Sequence, residues 1–172
     1  LPVHTTHAGS FSQANAVIEG EPADVVTLST AMAIDKIAKD TGKIPADWRR
    51  KFPNNSCPFT SIIVFLLRKG NPKAVRDWDE LATKDLTIVM TDPRTSGLAK
   101  YNYLSAWAYY ARKFNNDEKK ILTALRDIPR KILRRRSGSR GSAFDFLQGG
   151  IGDVLITFES EALLALSEFD DK

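Results

Sequence analysis

Strand-length apolar runs alternate with helix-length amphipathic stretches along this chain, and that alternation leaves few folds open. Asp24-Val25-Val26-Thr27-Leu28-Ser29, Phe59 to Arg68, Leu86-Thr87-Ile88-Val89-Met90 and Asp153 to Phe158 read as strands: short, apolar and rich in β-branched residues. The basic segment Arg130 to Arg136 reads as a further strand. Helical patterns lie between them. Thr30 to Lys39 carries Met32, Ile34, Ile37 and Ala38 on one face, and Trp78 to Leu81 is a short turn behind the cap Asp77. A long aromatic helix runs through Lys113, then Asp117 to Asp127, the stretch around Ser142 to Gln148, and Glu161 to Phe169. Strands separated by helices predict an α/β fold with a mostly parallel sheet. Ligands of such sheets bind at the carboxyl ends of the strands, where the βα turns gather.

Three Ser/Gly turns open helices at widely separated places. They are His7-Ala8-Gly9-Ser10-Phe11-Ser12-Gln13, Thr95-Ser96-Gly97-Leu98-Ala99 and Ser137-Gly138-Ser139-Arg140-Gly141-Ser142. A helix start presents backbone N–H groups without intrahelical partners, together with the positive end of the dipole. Small residues let an anion approach those groups, and serine hydroxyls add donors. Taken singly, such a turn is ordinarily just an N-cap. Three of them on one cleft would bind a compact oxyanion with no metal.

Composition narrows the alternatives. A chain of 172 residues suffices for one sizeable core or two small lobes. The net charge of +4 suits an anionic ligand without pointing to nucleic acid. Arg134-Arg135-Arg136 with Arg140 reads either as a phosphate-contacting patch or as a solvated edge. The single cysteine, Cys57, cannot form an internal disulfide, and with only His4 and His7 it cannot build a metal site. No cofactor is expected. No stretch is long and apolar enough to cross a bilayer, so no membrane insertion is expected. The chain begins at Leu1 without a basic–apolar leader, as a processed exported chain or a piece of a longer one would. No Ser–His–Asp, Cys–His or paired-carboxylate arrangement suggests an enzyme.

Several stretches resemble the sulfate-binding proteins of bacterial ATP-dependent sulfate/thiosulfate importers. They include Ala23 to Leu28, Phe52-Pro53-Asn54-Asn55-Ser56, Thr60 to Lys73, Asp77-Trp78-Asp79-Glu80-Leu81, Tyr101 to Trp107 and Gly150 to Ile156. The resemblance covers nearly the whole chain. It implies the type II periplasmic binding-protein fold: two lobes with parallel-rich sheets, the first lobe incomplete. The divisions it implies are 1–85 for the partial first lobe, 86–158 for the second lobe, and 159–172 for a segment returning to the first. Sulfate, or thiosulfate, would lie dehydrated between the lobes. The implied donors are the turn at Ser10, the Ser96 hydroxyl, the Gly97 and Leu98 amides and the Ser139 amide. Arg140 would stand behind the anion rather than touch it. The implied location is periplasmic, and the implied partner is an importer's membrane permease. A donor-only site favours sulfate over protonated phosphate, whose O–H would face a donor.

The chain departs from the family pattern at several of these positions. Leu98 replaces a glycine, so its side chain must point away from the anion. Phe158 replaces an indole donor, a loss of about 1–3 kcal/mol. The first turn is poorer in glycine, and Met32-Ala33 replaces an acidic and tyrosine pair. Phe158 and Leu98, with the incomplete first lobe, motivate a competing expectation, a non-transporting interaction or structural relative with weak or no anion binding. A third is a binder of another tetrahedral oxyanion such as molybdate or phosphate.

Overall fold

The computed structural model describes residues 2–136 and 138–169. Among the described residues four strands form one sheet: β1 (Ile63–Leu67), β2 (Ile88–Thr91), β3 (Ile132–Arg136) and β4 (Val154–Phe158), in the order β1-β4-β2-β3. β2 runs parallel to both β3 and β4, whereas β1 is antiparallel to β4, with Ile63 opposite Phe158 and Leu67 opposite Val154. The helices are α1 (Ser10–Glu19), α2 (Ala31–Thr41), α3 (Pro53–Ser56), α4 (Trp78–Thr83), α5 (Gly97–Lys113), α6 (Glu118–Leu125), α7 (Ser139–Leu147) and α8 (Glu159–Phe169). α3 is a single turn whose Asn54, Asn55 and Ser56 all lie in the left-handed region.

Local chemistry sets most helix ends. Asp77 starts α4 through a capping box: its carboxylate accepts from the Asp79 N–H at 2.9 Å, while Glu80 accepts from the Asp77 N–H at 2.8 Å. Asp117 accepts from the Lys120 N–H to start α6, and Thr30 accepts from the Met32 N–H to start α2. α1 and α2 end where Gly20 and Gly42 adopt positive φ, which glycine alone does freely.

Alternation along the strands divides the core into two layers. Ile88, Val154 and Ile156 face Ala106 and Tyr110 of α5, Ile121 and Leu125 of α6, and Trp78 and Leu81 of α4. Val89 and Leu155 face Ala143 and Phe146 of α7 and Ala165 of α8. β1 and α4, which precede residue 86, thus share the sheet and core of the later segment. A smaller separate cluster joins α1 to α2 through Ala14, Val17, Ala33 and Ile37.

Several elements differ from expectation. Asp24 to Ser29 is not a strand: Val25 is 83 % exposed, and no described strand runs beside this stretch. Strand geometry is held by its ladder, and without a neighbour the β-branched residues have nothing to pair with. β1 starts at Ile63 rather than Phe59, because its partner β4 ends at Phe158, opposite Ile63. α7 begins at Ser139, one turn before Ser142, and the first half of the basic segment is a 3₁₀ turn (Ile128–Lys131) leading into β3.

Candidate functional site

The three Ser/Gly turns meet. The N-cap of α1 is Gly9 in extended conformation, which places Ser10 as the first helical residue, 7 % exposed. The next two amides, of Phe11 and Ser12, donate to the Thr95 carbonyl at 3.0 and 3.4 Å. The start of α1 is therefore docked onto the turn that opens α5. That turn is shaped by Asp92, whose carbonyl accepts from the Thr95 and Ser96 amides at 3.2 and 2.9 Å. Gly97 follows, packed so closely that a Cβ there would lie 3.2 Å from Ser10 Oγ. The third turn joins them through Gly138, where a Cβ would stand 3.9 Å from the Gly9 nitrogen; Ser137 lies outside the described residues.

A fourth helix start belongs to the same cluster. Ser29 and Thr30 precede α2, and a Cβ on Gly97 would lie 2.4 Å from Ser29 Oγ and 2.9 Å from Thr30 Cγ2. Ser29 Oγ is 2.7 Å from Ser10 Oγ, and the Ser29 N–H donates to Ser10 Oγ at 3.0 Å. Four positive dipole ends thus gather at the carboxyl side of β2, and their small residues allow the close approach.

Part of the donor set at these ends is used in holding the turns together, and part is open. Ser96, the N-cap of α5, is 3 % exposed and its hydroxyl caps nothing. Among the described residues, no partner reaches that hydroxyl or the Gly97 and Leu98 amides. The Ser10 and Ser139 amides are likewise open among the described residues. An open hydroxyl on a buried residue, with several dipole-end amides without partners among the described residues, forms a cradle for an acceptor-only group.

The profile of the bacterial extracellular solute-binding proteins matches residues 1–172. The chain belongs to that family. Members bind solutes; theirs is not an enzyme family. The chain is 45 % identical over 166 residues to the sulfate-binding protein of Escherichia coli, covering 96 % of this chain and 50 % of that protein. It is 43 % identical over 169 residues to the thiosulfate-binding protein of Pseudomonas aeruginosa, covering 98 % of this chain and 51 % of that one. Among solved structures, the sulfate-binding protein SubI from Mycobacterium tuberculosis H37Rv superposes with a TM-score of 0.82 at 32 % identity, covering 93 % of this chain and 54 % of that chain. The chain thus spans about half the length of these relatives, and its α/β fold is that of a solute-binding protein.

Of the remaining expected residues of this solute-binding chain, Leu98, Ser139 and Arg140 belong to these helix starts and Phe158 ends β4. Leu98 is 2 % exposed, so its side chain is buried and leaves its amide free. Ser139 donates its hydroxyl to Glu161 at 3.2 Å. Arg140 pairs with Glu161 at 3.6 Å and with Glu168, both on α8, and the bond to Glu168 is the main cause holding its guanidinium above the usual pKa. Phe158 ends β4 and meets Tyr101 edge-on, with ring centroids 6.0 Å apart. Phe158 offers no polar group to a ligand.

Three contributors are not signalled as such by the sequence. Ser29 and Thr30 carry the same helix-opening signature as the three Ser/Gly turns, but Ser29 stands where composition predicts the end of a strand. Thr95 acts through its backbone carbonyl, which no residue type announces.

Proposed function

We infer that this chain carries the anion cradle of a sulfate receptor serving an ATP-driven importer. The observation that carries this reading is the meeting of the Ser10, Ser96–Gly97 and Ser139 helix starts with open donors. The names of the relatives supply the anion. Ser96 contributes its hydroxyl, Gly97, Leu98 and Ser139 contribute amides, and Ser10 contributes both kinds of donor. Arg140, tied to Glu161 and Glu168, steadies α7 without touching the anion. A buried dianion needs many hydrogen bonds to replace its water, and each bond to it contributes about 1.5–3 kcal/mol. The division into segments 1–85, 86–158 and 159–172 belongs to this proposal, with β1 and α4 packed on the sheet of the second segment. Closure of the two lobes on the anion, docking to a membrane permease and a periplasmic location belong to it as well.

Calorimetric titration with sulfate at low salt tests the reading. Saturable binding, weakened by one to two decades in Ser96→Ala, is the expected result. No heat and no thermal shift at millimolar sulfate would overturn it, in favour of an interaction module that has lost its ligand. Thiosulfate is a second reading, because the relatives from Pseudomonas aeruginosa and Escherichia coli include proteins named for it. Competition between the two anions for the same chain decides between them.

A further inference from the structure

The Ser10 hydroxyl is held by two groups of one residue. The Ser29 N–H donates to Ser10 Oγ at 3.0 Å, and Ser29 Oγ lies 2.7 Å from the same atom. A serine hydroxyl has two acceptor positions and one proton. When Ser29 Oγ donates, both acceptor positions of Ser10 are filled, and the Ser10 proton has to be given elsewhere. Both oxygens crowd the Gly97 end of α5, Ser29 Oγ more closely than Ser10 Oγ. Ser29 is exposed and Ser10 is buried, so Ser29 is the outer member of the pair.

We propose that Ser29 is a specificity-determining residue of the anion site, acting as a positioning residue that saturates Ser10 as an acceptor and leaves it able only to donate. This rests on the oxyanion reading above. Sulfate presents acceptors on every oxygen and suits such a group. Hydrogen phosphate keeps a P–OH that needs an acceptor, and a saturated Ser10 offers none. Removing the Ser29 hydroxyl keeps the N–H bond but vacates one acceptor position on Ser10, which then accepts the P–OH proton.

The test is calorimetric titration of the full chain with sulfate and with inorganic phosphate, in the unaltered protein, Ser29→Ala, Ser10→Ala and the double variant. In Ser29→Ala the preference for sulfate over phosphate falls about tenfold, one hydrogen bond's worth. With Ser10 already replaced by Ala, adding Ser29→Ala leaves the preference unchanged. Ser29→Gly, which also removes the hydroxyl and keeps the N–H, reproduces the shift and guards against a folding defect peculiar to one variant. A merely structural role would weaken both anions alike, and an unchanged preference in Ser29→Ala overturns the proposal while leaving sulfate binding intact. Failure of the unaltered chain to bind sulfate overturns this proposal and the underlying reading together.

Discussion

A methyl group at position 97 would stand 2.4 Å from Ser29 Oγ and 2.9 Å from Thr30 Cγ2. The serine oxygen can turn away; the threonine methyl, on a residue that caps α2, cannot move without shifting the helix. Overpacking of this kind costs about 1–3 kcal/mol. Gly97→Ala is therefore expected to lower stability by that amount in urea denaturation and to abolish sulfate heats, because it pushes α2 and Ser10 off the start of α5. Wild-type stability in this variant would show that the helix starts are not in contact. At Phe158 the opposite change is informative. Phe158→Trp places an indole N–H at the end of β4, and sulfate affinity is expected to rise about tenfold by calorimetry. No gain would mean that a side chain at 158, packed on Tyr101, does not reach the anion.

At the scale of elements, α7 is held at both ends. Its first turn is tied to α8 through Ser139, Arg140, Glu161 and Glu168. Its last turn is held by Arg68 of the segment after β1. Arg68 donates to the Phe146 carbonyl at 2.9 Å, to Ile151 at 3.0 Å and to Gly152 at 3.0 and 2.7 Å, with its guanidinium 3.8 Å from the Phe146 ring centroid. Burial lowers its pKa, and the Asp153 charge opposes that shift. A cation at a helix carboxyl end also favours the dipole. Arg68→Met is expected to cost about 2–3 kcal/mol in chemical denaturation, from carbonyls left without donors. Arg68→Lys recovers only part of this, lacking the planar fork. An unaffected Arg68→Met variant would show that these carbonyls find other donors.

On the opposite face, Tyr110 of α5 is fully buried and donates to the Trp78 carbonyl at 2.9 Å. Burial, and then the charges of Asp79, Asp77 and Asp127, push its phenol up to about 12 from an ordinary 10.0. The fold favours the neutral phenol, so the stability it contributes is complete below pH 10 and is lost as pH rises through about 12. Stability measured across that window is expected to fall less steeply in Tyr110→Phe than in the unaltered protein. Parallel slopes would refute the assignment.

At the scale of the whole molecule, the two kinds of core are unequal. The sheet is covered on both faces, by α4, α5 and α6 on one and by α7 and α8 on the other. Among the described residues, the cluster between α1 and α2 has Ala14, Val17, Ala33 and Ile37 as its buried members, and α1 meets the start of α5 at the turns of the candidate site. Opening that pair loses far less apolar burial than opening the sheet. Amide hydrogens of α1 and α2 are expected to exchange faster than those of β4, and sulfate is expected to slow the α1 and α2 amides selectively. Uniform exchange across both units, or slowing of β4 alone, would contradict this arrangement.

Much of this was legible in the residues because it is local. The caps Asp77 and Asp117, the glycines after α1 and α2, and the apolar runs at Ile88 and Val154 act within a few positions of themselves, so alternation and punctuation reveal the elements. The donor-bearing turns at Ser10, Ser96 and Ser139 were legible as helix starts for the same reason. What depends on neighbours was not. Asp24 to Ser29 has the composition of a strand but no ladder partner, and β1 pairs antiparallel with a segment near the far end of the chain. The turns' meeting, the docking of α1 onto the Thr95 carbonyl and the grip of Ser29 on Ser10 follow from packing between distant segments. Sequence alone determined which pieces could offer donors, since capping and propensity are short-range. Only the tertiary structure decided that those donors share one place, because their convergence is a property of how the sheet and helices pack.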